Sequence, residues 1–393
     1  MQAIDRTNIL YPLTNLSPLD IIIGIRKDEL KMITLQKQIN FEETYPLDRL
    51  GDREGLLFFD IETTGFSGDY STLYLIGCVY YQNGVWNLIQ WFADTLDSEK
   101  ELLITFFEFL KQFKKVVHFN GDGFDIPYLL KRSHAYHLTY DFSGVESLDL
   151  YKKIRPYRTL LGLSSMKQKA IEAFLGVDRN DLYSGGELIF VYKDYLISHE
   201  SFLFDLLILH NEDDLKGMPL ILPILNYPDF LEHEFSLVEQ ELIPSQDLFG
   251  RDHHALKLTL KSTYGVPVGF QRSNSMVNAV IEGQELSLTI DLYEGELKYF
   301  YPDYKDYYYL IYEDRAIHKS VAEYVDKNAR KKATAKNCYM KQTGCYLPQF
   351  SPLWTPFLQN QWKDKVTYIT YDSEFFKNYE NLQRYIRHIL DNL

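Results

Sequence analysis

Two acidic residues, Asp60 and Glu62, stand two positions apart in the segment GLLFFDIETTGF. The apolar run LLFFDI lies between Gly55 and a TTG turn, which predicts a buried strand that ends beside the acids. Alternate residues of a strand point to the same face, so both carboxylates can bind one cation. A buried acidic pair is costly unless cations neutralise it. The pair therefore indicates a metal site, with a turn-capping Asp60 and an exposed Glu62 as the alternative.

Asp125 is the third candidate ligand, in the segment VVHFNGDGFDIPYLL. This segment has the pattern of a strand, a glycine-rich turn and a helix, which puts Asp125 in the first helical turn, beside the end of a neighbouring strand. A carboxylate there also interacts favourably with the helix dipole. Ordinary stabilisation of a helix N-terminus is therefore the alternative interpretation.

His210 and Asp214 lie four residues apart in the predicted helix SFLFDLLILHNEDDL. Positions i and i+4 share one helix face, so the imidazole and the carboxylate can enter one pocket. Asp213 competes for the role of ligand but lacks this spacing to His210. A hydrogen-bonded histidine near a helix end is the alternative for His210.

The elements that position these residues form a coherent pattern over residues 51–226. Three strands come first, and Asn83-Gly84 between the second and the third is a strong hairpin signal. Helices and strands then alternate, which implies right-handed crossovers between parallel neighbours. We expect a mixed sheet with helices on its faces.

The motifs DIETTG, NGDGFDIPYL and HNEDDL, in this order, resemble those of the DEDD superfamily of 3′–5′ exonucleases, and in particular a group of bacterial ribonuclease-H-like proteins. The resemblance extends to YLIGCVY, SLDLY, SSMKQKAIEAFLG and YSGGELIFVYKDYL and covers roughly residues 55–226. It implies an α/β domain over residues 51–226, with a ribonuclease-H-like mixed five-stranded sheet flanked by helices. Residues 1–50 are expected to form an N-terminal extension with two weak strand signals, LDIIIGI and LKMITL.

Carried over to this sequence, the resemblance makes four acids the metal ligands, namely Asp60, Glu62, Asp125 and Asp214. Two Mg²⁺ or Mn²⁺ ions held by such a cluster can activate the attacking water and stabilise the leaving 3′ oxygen. His210 is the candidate general base or water-positioning group. His210 stands four residues before Asp214. Family members that use Tyr have this spacing, whereas those that use His usually have a spacing of five residues. The role of His210 is therefore open.

The resemblance also suggests residues near the substrate. Thr63, Thr64 and Gly65 are expected where the substrate backbone and the terminal 3′ hydroxyl approach. Asn120 and Asn211 are expected to orient ligands or substrate. Asp149 is predicted to support the ligands from behind, with a capping role for its strand as the alternative.

Residues 227–393 are predicted to form a C-terminal α+β domain with strand-like runs and two helices, RAIHKSVAEYVDK and NYENLQRYIRHIL. Residues 327–341 contain six Lys or Arg and no acid, and they follow the aromatic stretch YFYPDYKDYYYLIY. Arg330, Lys331 and Lys332 are therefore candidates for binding single strands. A solvated loop beside a tyrosine-rich core is the alternative.

Composition limits the function further. The net charge of −14 argues against a protein that coats nucleic acid, but not against an enzyme that acts on it. The three cysteines are typical of a reducing cytoplasm, and neither a membrane span nor a structural zinc site is expected. The expected function is a cytoplasmic metal-dependent exonuclease on single-stranded DNA or RNA ends. A non-cleaving nucleic-acid-binding protein and a structure-specific endonuclease on the same fold are the alternatives, and the oligomeric state is open.

Overall fold

A computed structural model of the chain describes residues 32–178, 185–246, 250 and 252–393. The chain divides into two units between Leu225 and Asn226. The predicted strand signal LDIIIGI lies outside the described residues.

The first unit contains a mixed sheet, in the order β1-β4-β3-β2-β5-β6. Its strands β1 to β6 are Met32–Ile39, Leu56–Thr63, Leu73–Gln82, Val85–Ala93, Lys115–His118 and Glu146–Asp149. The strands β2, β3, β4 and β1 pair antiparallel, whereas β5 pairs parallel with both β2 and β6. The predicted α/β class and mixed sheet are therefore confirmed.

The described residues contribute six strands to this sheet, so the predicted number of five is wrong. The additional strand is β1, which contains part of LKMITL and which the sequence placed in a separate extension. It pairs along its whole length with β4, from Met32 opposite Ala93 to Ile39 opposite Trp86. This pairing satisfies backbone groups of β4 that would otherwise form an exposed edge.

Short-range turn signals are confirmed where they were strong. Asn83 and Gly84 join β3 to β4 with φ angles of 55° and 82°, the positive values that a two-residue hairpin turn requires. Gly176, with φ 74°, ends a helix in the left-handed conformation.

Helices flank the sheet of the first unit. The helices α1 to α7 are Glu99–Leu110, Asp125–Ala135, Leu150–Ile154, Arg158–Leu161, Gln168–Leu175, Gly185–Ser198 and Ser201–Leu220. The buried face of α1 contributes Leu102, Leu103 and Phe106 to the core beside the sheet. The helix α7 packs against β2 and β3. The last long helix of the first unit therefore contacts a strand from near the beginning of that unit.

The second unit combines three antiparallel sheets with helices, in agreement with the α+β prediction. The strands β7 to β17 are Phe235–Gln246, Asp252–Ser262, Phe270–Ser273, Val277–Glu282, Glu285–Asp291, Tyr293–Phe300, Tyr307–Leu310, Arg315–His318, Arg330–Lys332, Tyr339–Gln349 and Thr367–Thr370. They form sheets in the orders β7-β8-β11-β10-β9, β12-β16-β17 and β14-β13-β15. The helices α8, α9 and α10 are Asn226–Glu232, Lys319–Ala322 and Tyr379–Leu390.

One of the two predicted C-terminal helices is wrong. In RAIHKSVAEYVDK, residues Arg315–His318 form β14 and only Lys319–Ala322 are α-helical. The strand forms because Ala316 and Ile317 pair opposite Tyr309 and Tyr308 of β13, and this cross-strand packing overrides local helix propensity. The terminal helix α10 is confirmed, and the side chain of Asn378 caps it.

None of the helices in the described ranges has the length and apolar character needed to cross a membrane.

Candidate metal centre

Asp60 and Glu62 lie on β2, which runs between β3 and the parallel strand β5. Both side chains are on one face of the sheet because they are two residues apart on a strand. Glu62 is buried, with an exposed fraction of 7%, and Asp60 is half-buried. The strand shifts its register just after Glu62, where the chain leaves the sheet.

Asp125 is the first residue of α2, as predicted, and its side chain is buried. The pKa of Asp125 is raised to about 7, chiefly by burial and also by the charges of Asp149 and Asp214. Backbone hydrogen bonds at Asp125 and Ile61 oppose this rise. The bond from Ile61 connects Asp125 directly to β2, between the two acids of that strand. The third predicted ligand is therefore brought to the first two.

His210 and Asp214 present one face of α7 to the acids of β2. The Nε2 atom of His210 lies 3.4 Å from an Oδ2 of Asp214 and 3.5 Å from an Oε1 of Glu62. Potential ligand atoms of these three residues all lie within 4.8 Å of one another, close enough to share a cation. The sequence predicted that His210 and Asp214 share one helix face. Glu62 joins this pair because α7 packs against β2.

The electrostatics of Asp60 indicate that the four predicted acids form one cluster. Burial raises the pKa of Asp60 well above its ordinary value of 3.8, and the charges of Asp214, Glu62 and Asp125 add to this effect. A hydrogen bond from Asn211 opposes it. Such mutual repulsion between carboxylates at a strand end is relieved by divalent cations, which prefer hard oxygen ligands.

Asn211 is fully buried and fixes the orientation of Asp60. Its Nδ2 donates to an Oδ2 of Asp60 at 2.9 Å, and its Oδ1 accepts from Nε2 of Gln90 at 2.9 Å. A Cβ at Gly77 would lie 2.1 Å from this Oδ1, so only glycine fits there without displacement. Of the two predicted roles, orienting ligands or substrate, this geometry supports the orientation of a ligand.

Sequence reasoning missed Gln90 and Gly77. Gln90 had a detectable signal, because it is a lone polar residue within the apolar part of VWNLIQWF. Gly77 had none, since its role depends on the helix that packs over it.

The turn before Asp125 is organised by Asp149, which is buried. Its Oδ1 accepts from the backbone N–H of Asn120 at 2.9 Å and of Lys152 at 3.2 Å, and its Oδ2 accepts from that of Asp122 at 3.3 Å. Asp149 therefore caps α3 and also holds the turn that leads into α2. Asn120 is exposed and has a positive φ of 65°.

His118 belongs to the same turn and was also missed. The backbone N–H of Gly121 donates to its Nδ1 at 3.0 Å, so the proton of the neutral ring is on Nε2. Nε2 then donates to Oγ of Ser147 at 2.8 Å, and Ser147 donates to Asp122. Burial lowers the pKa of His118, against the charges of Asp149 and Asp122. Because Nδ1 and Nε2 are both engaged, His118 serves the turn and does not activate Ser147.

The turn after β2 is closed by its own hydroxyl groups. Oγ1 of Thr63 donates to the carbonyl of Gly65 at 2.8 Å, and Oγ1 of Thr64 accepts from the backbone N–H of Thr72 at 2.9 Å. Thr63, Thr64 and Gly65 thus follow Glu62 directly in a fixed loop. The remaining predicted substrate residues, Arg330, Lys331 and Lys332, form β15 in the second unit.

Residues 57–226 match the family model of the RNase_H superfamily. Together with the mixed sheet, this match confirms that the segment has the predicted ribonuclease-H-like fold. It covers less than half of the chain, and the second unit lies almost entirely outside it.

Two curated relatives are polymerases. The DNA polymerase of Thermococcus litoralis is 30% identical over 124 residues, which is 28% of this chain and 7% of that protein. The DNA polymerase 1 of Sulfolobus acidocaldarius is 30% identical over 123 residues, 22% of this chain and 14% of that protein. The chain therefore spans only a small fraction of the length of these relatives.

Two solved structures show weaker similarity. The family B DNA polymerase of Pyrobaculum calidifontis has 13% identity and a TM-score of 0.36, covering 62% of this chain and 33% of that one. E. coli exonuclease I in complex with a dT13 oligonucleotide has 11% identity and a TM-score of 0.27, covering 52% and 54%.

Proposed function

We propose that the chain is a metal-dependent 3′–5′ exonuclease that hydrolyses phosphodiester bonds of single-stranded DNA or RNA. The observation that carries this proposal is the convergence of Asp60, Glu62, Asp125 and Asp214 from β2, α2 and α7. The ribonuclease-H-like fold of the segment and the polymerase relatives support nucleic acid as the substrate class.

The donor set of the cluster fits hard divalent cations. All four acids offer oxygen, and their mutual repulsion raises the pKa of Asp60 unless positive charge is close. We assign Asp60, Glu62, Asp125 and Asp214 as the residues that would hold two Mg²⁺ or Mn²⁺ ions. When bound, these cations would supply activation of the attacking water and stabilisation of the charge on the leaving 3′ oxygen.

The chain's own residues orient the ligands and handle protons. Asn211 holds one oxygen of Asp60 and leaves the other for binding. The Nε2 edge of His210 faces both Glu62 and Asp214, a position from which it can accept a proton or orient a water. The exposed Asn120 and the loop of Thr63, Thr64 and Gly65 are assigned to the substrate side. The 3′–5′ polarity of the proposal rests on the resemblance of the motifs.

The test is cleavage of 5′-labelled DNA and RNA oligonucleotides with Mn²⁺ or with EDTA, by the parent and by a variant carrying Asp60→Ala and Glu62→Ala. The parent is expected to produce a metal-dependent ladder of shortened products. The variant is expected to lose more than about 100-fold in rate, since even residues behind metal ligands cost up to about that much. The matched control carries Glu42→Ala and Asp48→Ala, two exposed acids of the same unit.

Each outcome identifies one of the candidate functions. A ladder that is absent only in the Asp60/Glu62 variant supports the exonuclease. Discrete internal products would show that the protein is an endonuclease. Binding without cleavage of any substrate would show that it is a non-cleaving nucleic-acid-binding protein.

A further inference from the structure

A set of cations without acidic partners lies in the second unit. It comprises Lys327, Arg330, Lys331, Lys332 and Lys336, hereafter the basic segment. Within the described residues none of these side chains forms an ion pair, whereas the neighbouring Arg315, Lys319 and Lys341 all do. The contrast is notable in a chain with a net charge of −14, in which carboxylates outnumber cations.

Strand pairing places three of these cations at the edge of a sheet. Arg330, Lys331 and Lys332 form β15, the edge strand of the sheet β14-β13-β15. Their strand neighbours on β13 are aromatic or apolar, with Lys332 opposite Tyr308 and Lys331 opposite Tyr309. Side-chain carboxylates are therefore excluded from the adjacent strand.

Tyrosine rings hold two of the cations in defined positions. The guanidinium carbon of Arg330 lies 4.9 Å from the ring centroid of Tyr308, and Nζ of Lys331 lies 5.2 Å from that of Tyr309. A cation over an aromatic face keeps its donors available for anions while its stem is restrained. The segment is thus an ordered set of charges.

Asp314, an acid of the β13–β14 turn, already has partners of its own. Asp314 accepts hydrogen bonds from the hydroxyls of Tyr309 and Tyr339, and it pairs with Lys341 at 2.6 Å. This network connects the turn to β16, because Tyr339 and Lys341 lie on that strand. Asp314 therefore stabilises the strands next to the basic segment, and it does not neutralise the charges of that segment.

An exposed aromatic residue follows β13, the strand that pairs with β15. The backbone N–H of Ile311, just after β13, donates to the carbonyl of Ala329, just before β15, at 2.9 Å, and Tyr312 is the residue after Ile311. Tyr312 is 84% exposed, an unusual environment for a large aromatic side chain. Cations beside an exposed ring can contact phosphates and stack a base, which is how single strands are bound without reading their sequence.

We propose that the basic segment and Tyr312 form a binding surface for single-stranded nucleic acid. The inference rests on the proposed function for the class of its partner. An acidic protein or an anionic membrane would match the cations as well, and the substrate class of the proposed function favours nucleic acid over both.

The test measures binding of the full chain to fluorescent dT and U homopolymers, in EDTA and over a series of salt concentrations. The variant carries Arg330→Gln, Lys331→Gln and Lys332→Gln. Its affinity is expected to fall about tenfold or more, and the salt dependence is expected to decrease by about 2 in log–log slope, since each phosphate contact on a single strand contributes about 0.7. The matched control carries Lys261→Gln, Lys365→Gln and Lys377→Gln, three exposed lysines from other segments, and should change affinity less than twofold.

Two further variants separate binding from disruption of the strand. Lys327→Gln with Lys336→Gln leaves β15 intact and is expected to reduce the slope by about 1.4. Tyr312→Ala is expected to weaken binding roughly fivefold or more with an unchanged slope, because stacking is not ionic.

Three results would overturn the proposal: equal affinities and slopes for parent and variants, equal losses in the control variant, or equally tight binding of a duplex. Loss of binding to anionic vesicles with unchanged oligonucleotide binding would assign the surface to a membrane instead. Failure of the proposed function is seen separately, as absence of metal-dependent cleavage, since the binding measurement requires neither metal nor catalysis.

Discussion

At the scale of single residues, a neutral amide side chain orients one acid of the cluster. Asn211 connects Asp60 on β2 to Gln90 on β4, and both of its polar atoms are engaged. Asp60 is thereby held in one orientation although burial and neighbouring charges disfavour its ionised form. Residues behind metal ligands commonly control affinity in this way.

Asn211→Ala is therefore expected to weaken Mn²⁺ binding about 10–100-fold, as measured by calorimetric titration. Asn87→Ala is the control, because the side chain of Asn87 on the same sheet donates to the nearby carbonyl of Val85 and, among the described residues, to no acid of the cluster. Equal Mn²⁺ affinities for the parent and the Asn211 variant would contradict the assigned role.

His118 should give the folded protein a pH dependence that can be measured. Burial lowers its pKa below the ordinary value of 6.5, so the folded state binds the proton less readily than the unfolded chain. The free energy of unfolding should therefore decrease as the pH falls below about 6.5 and be unaffected by this group well above that value. The contribution is at most about 1.4 kcal/mol per pH unit.

His118→Asn should flatten the pH dependence of unfolding between about pH 7.5 and 5.5, measured by urea denaturation. His134→Gln, which changes an exposed histidine of the same unit, is the control for the substitution itself. An unchanged slope for the His118 variant would show that folding does not lower the pKa of this ring and would contradict the prediction.

At the scale of elements, the contact between α7 and the sheet assembles the site. The helix supplies His210, Asn211 and Asp214, and β2 supplies Asp60 and Glu62. The contact requires a strand surface without a side chain at Gly77, where Asn211 and Leu215 of α7 approach the backbone.

Gly77→Ala should therefore destabilise the first unit by about 1–3 kcal/mol or more, because a Cβ there would lie 2.1 Å from Asn211 and 2.4 Å from Leu215. Mn²⁺ affinity should fall with it, since the displaced Asn211 no longer orients Asp60. Gly144→Ala is the control, with no heavy atom within 4 Å of the added Cβ. Chemical denaturation with calorimetric titration tests both effects, and equal stability of the two variants would refute this account of the contact.

At the scale of the whole molecule, charge is distributed unevenly between two kinds of site. The first unit concentrates buried acids that suit cations, whereas the second carries cations that no described carboxylate pairs with. We therefore propose a division of labour between cleavage in the first unit and strand binding in the second.

The isolated residues 1–225 should retain metal-dependent cleavage of short oligonucleotides and lose affinity for long single strands by about tenfold or more. Gel-based cleavage and anisotropy on the fragment and the full chain provide the comparison. A fragment that binds long strands as tightly as the full chain would remove the second unit from substrate binding.

The sequence by itself determined the features that depend on local periodicity. The two-residue spacing of Asp60 and Glu62, the four-residue spacing of His210 and Asp214 and the Asn83-Gly84 turn all act within one element or one turn. Their consequences could be derived from strand and helix geometry, and the motif order supplied the fold. These features fixed the α/β class of residues 51–226 and the candidate ligands.

Tertiary structure alone decided what joins distant elements. The bond from Asn211 to Asp60 spans 151 positions, and the strand β1 adds itself to the sheet only because β4 has a free edge. Likewise, β14 replaces a predicted helix because β13 is there to pair with it. In each case the stabilising partner is remote in sequence, so local propensity and spacing contain no information about it, and packing selects the result.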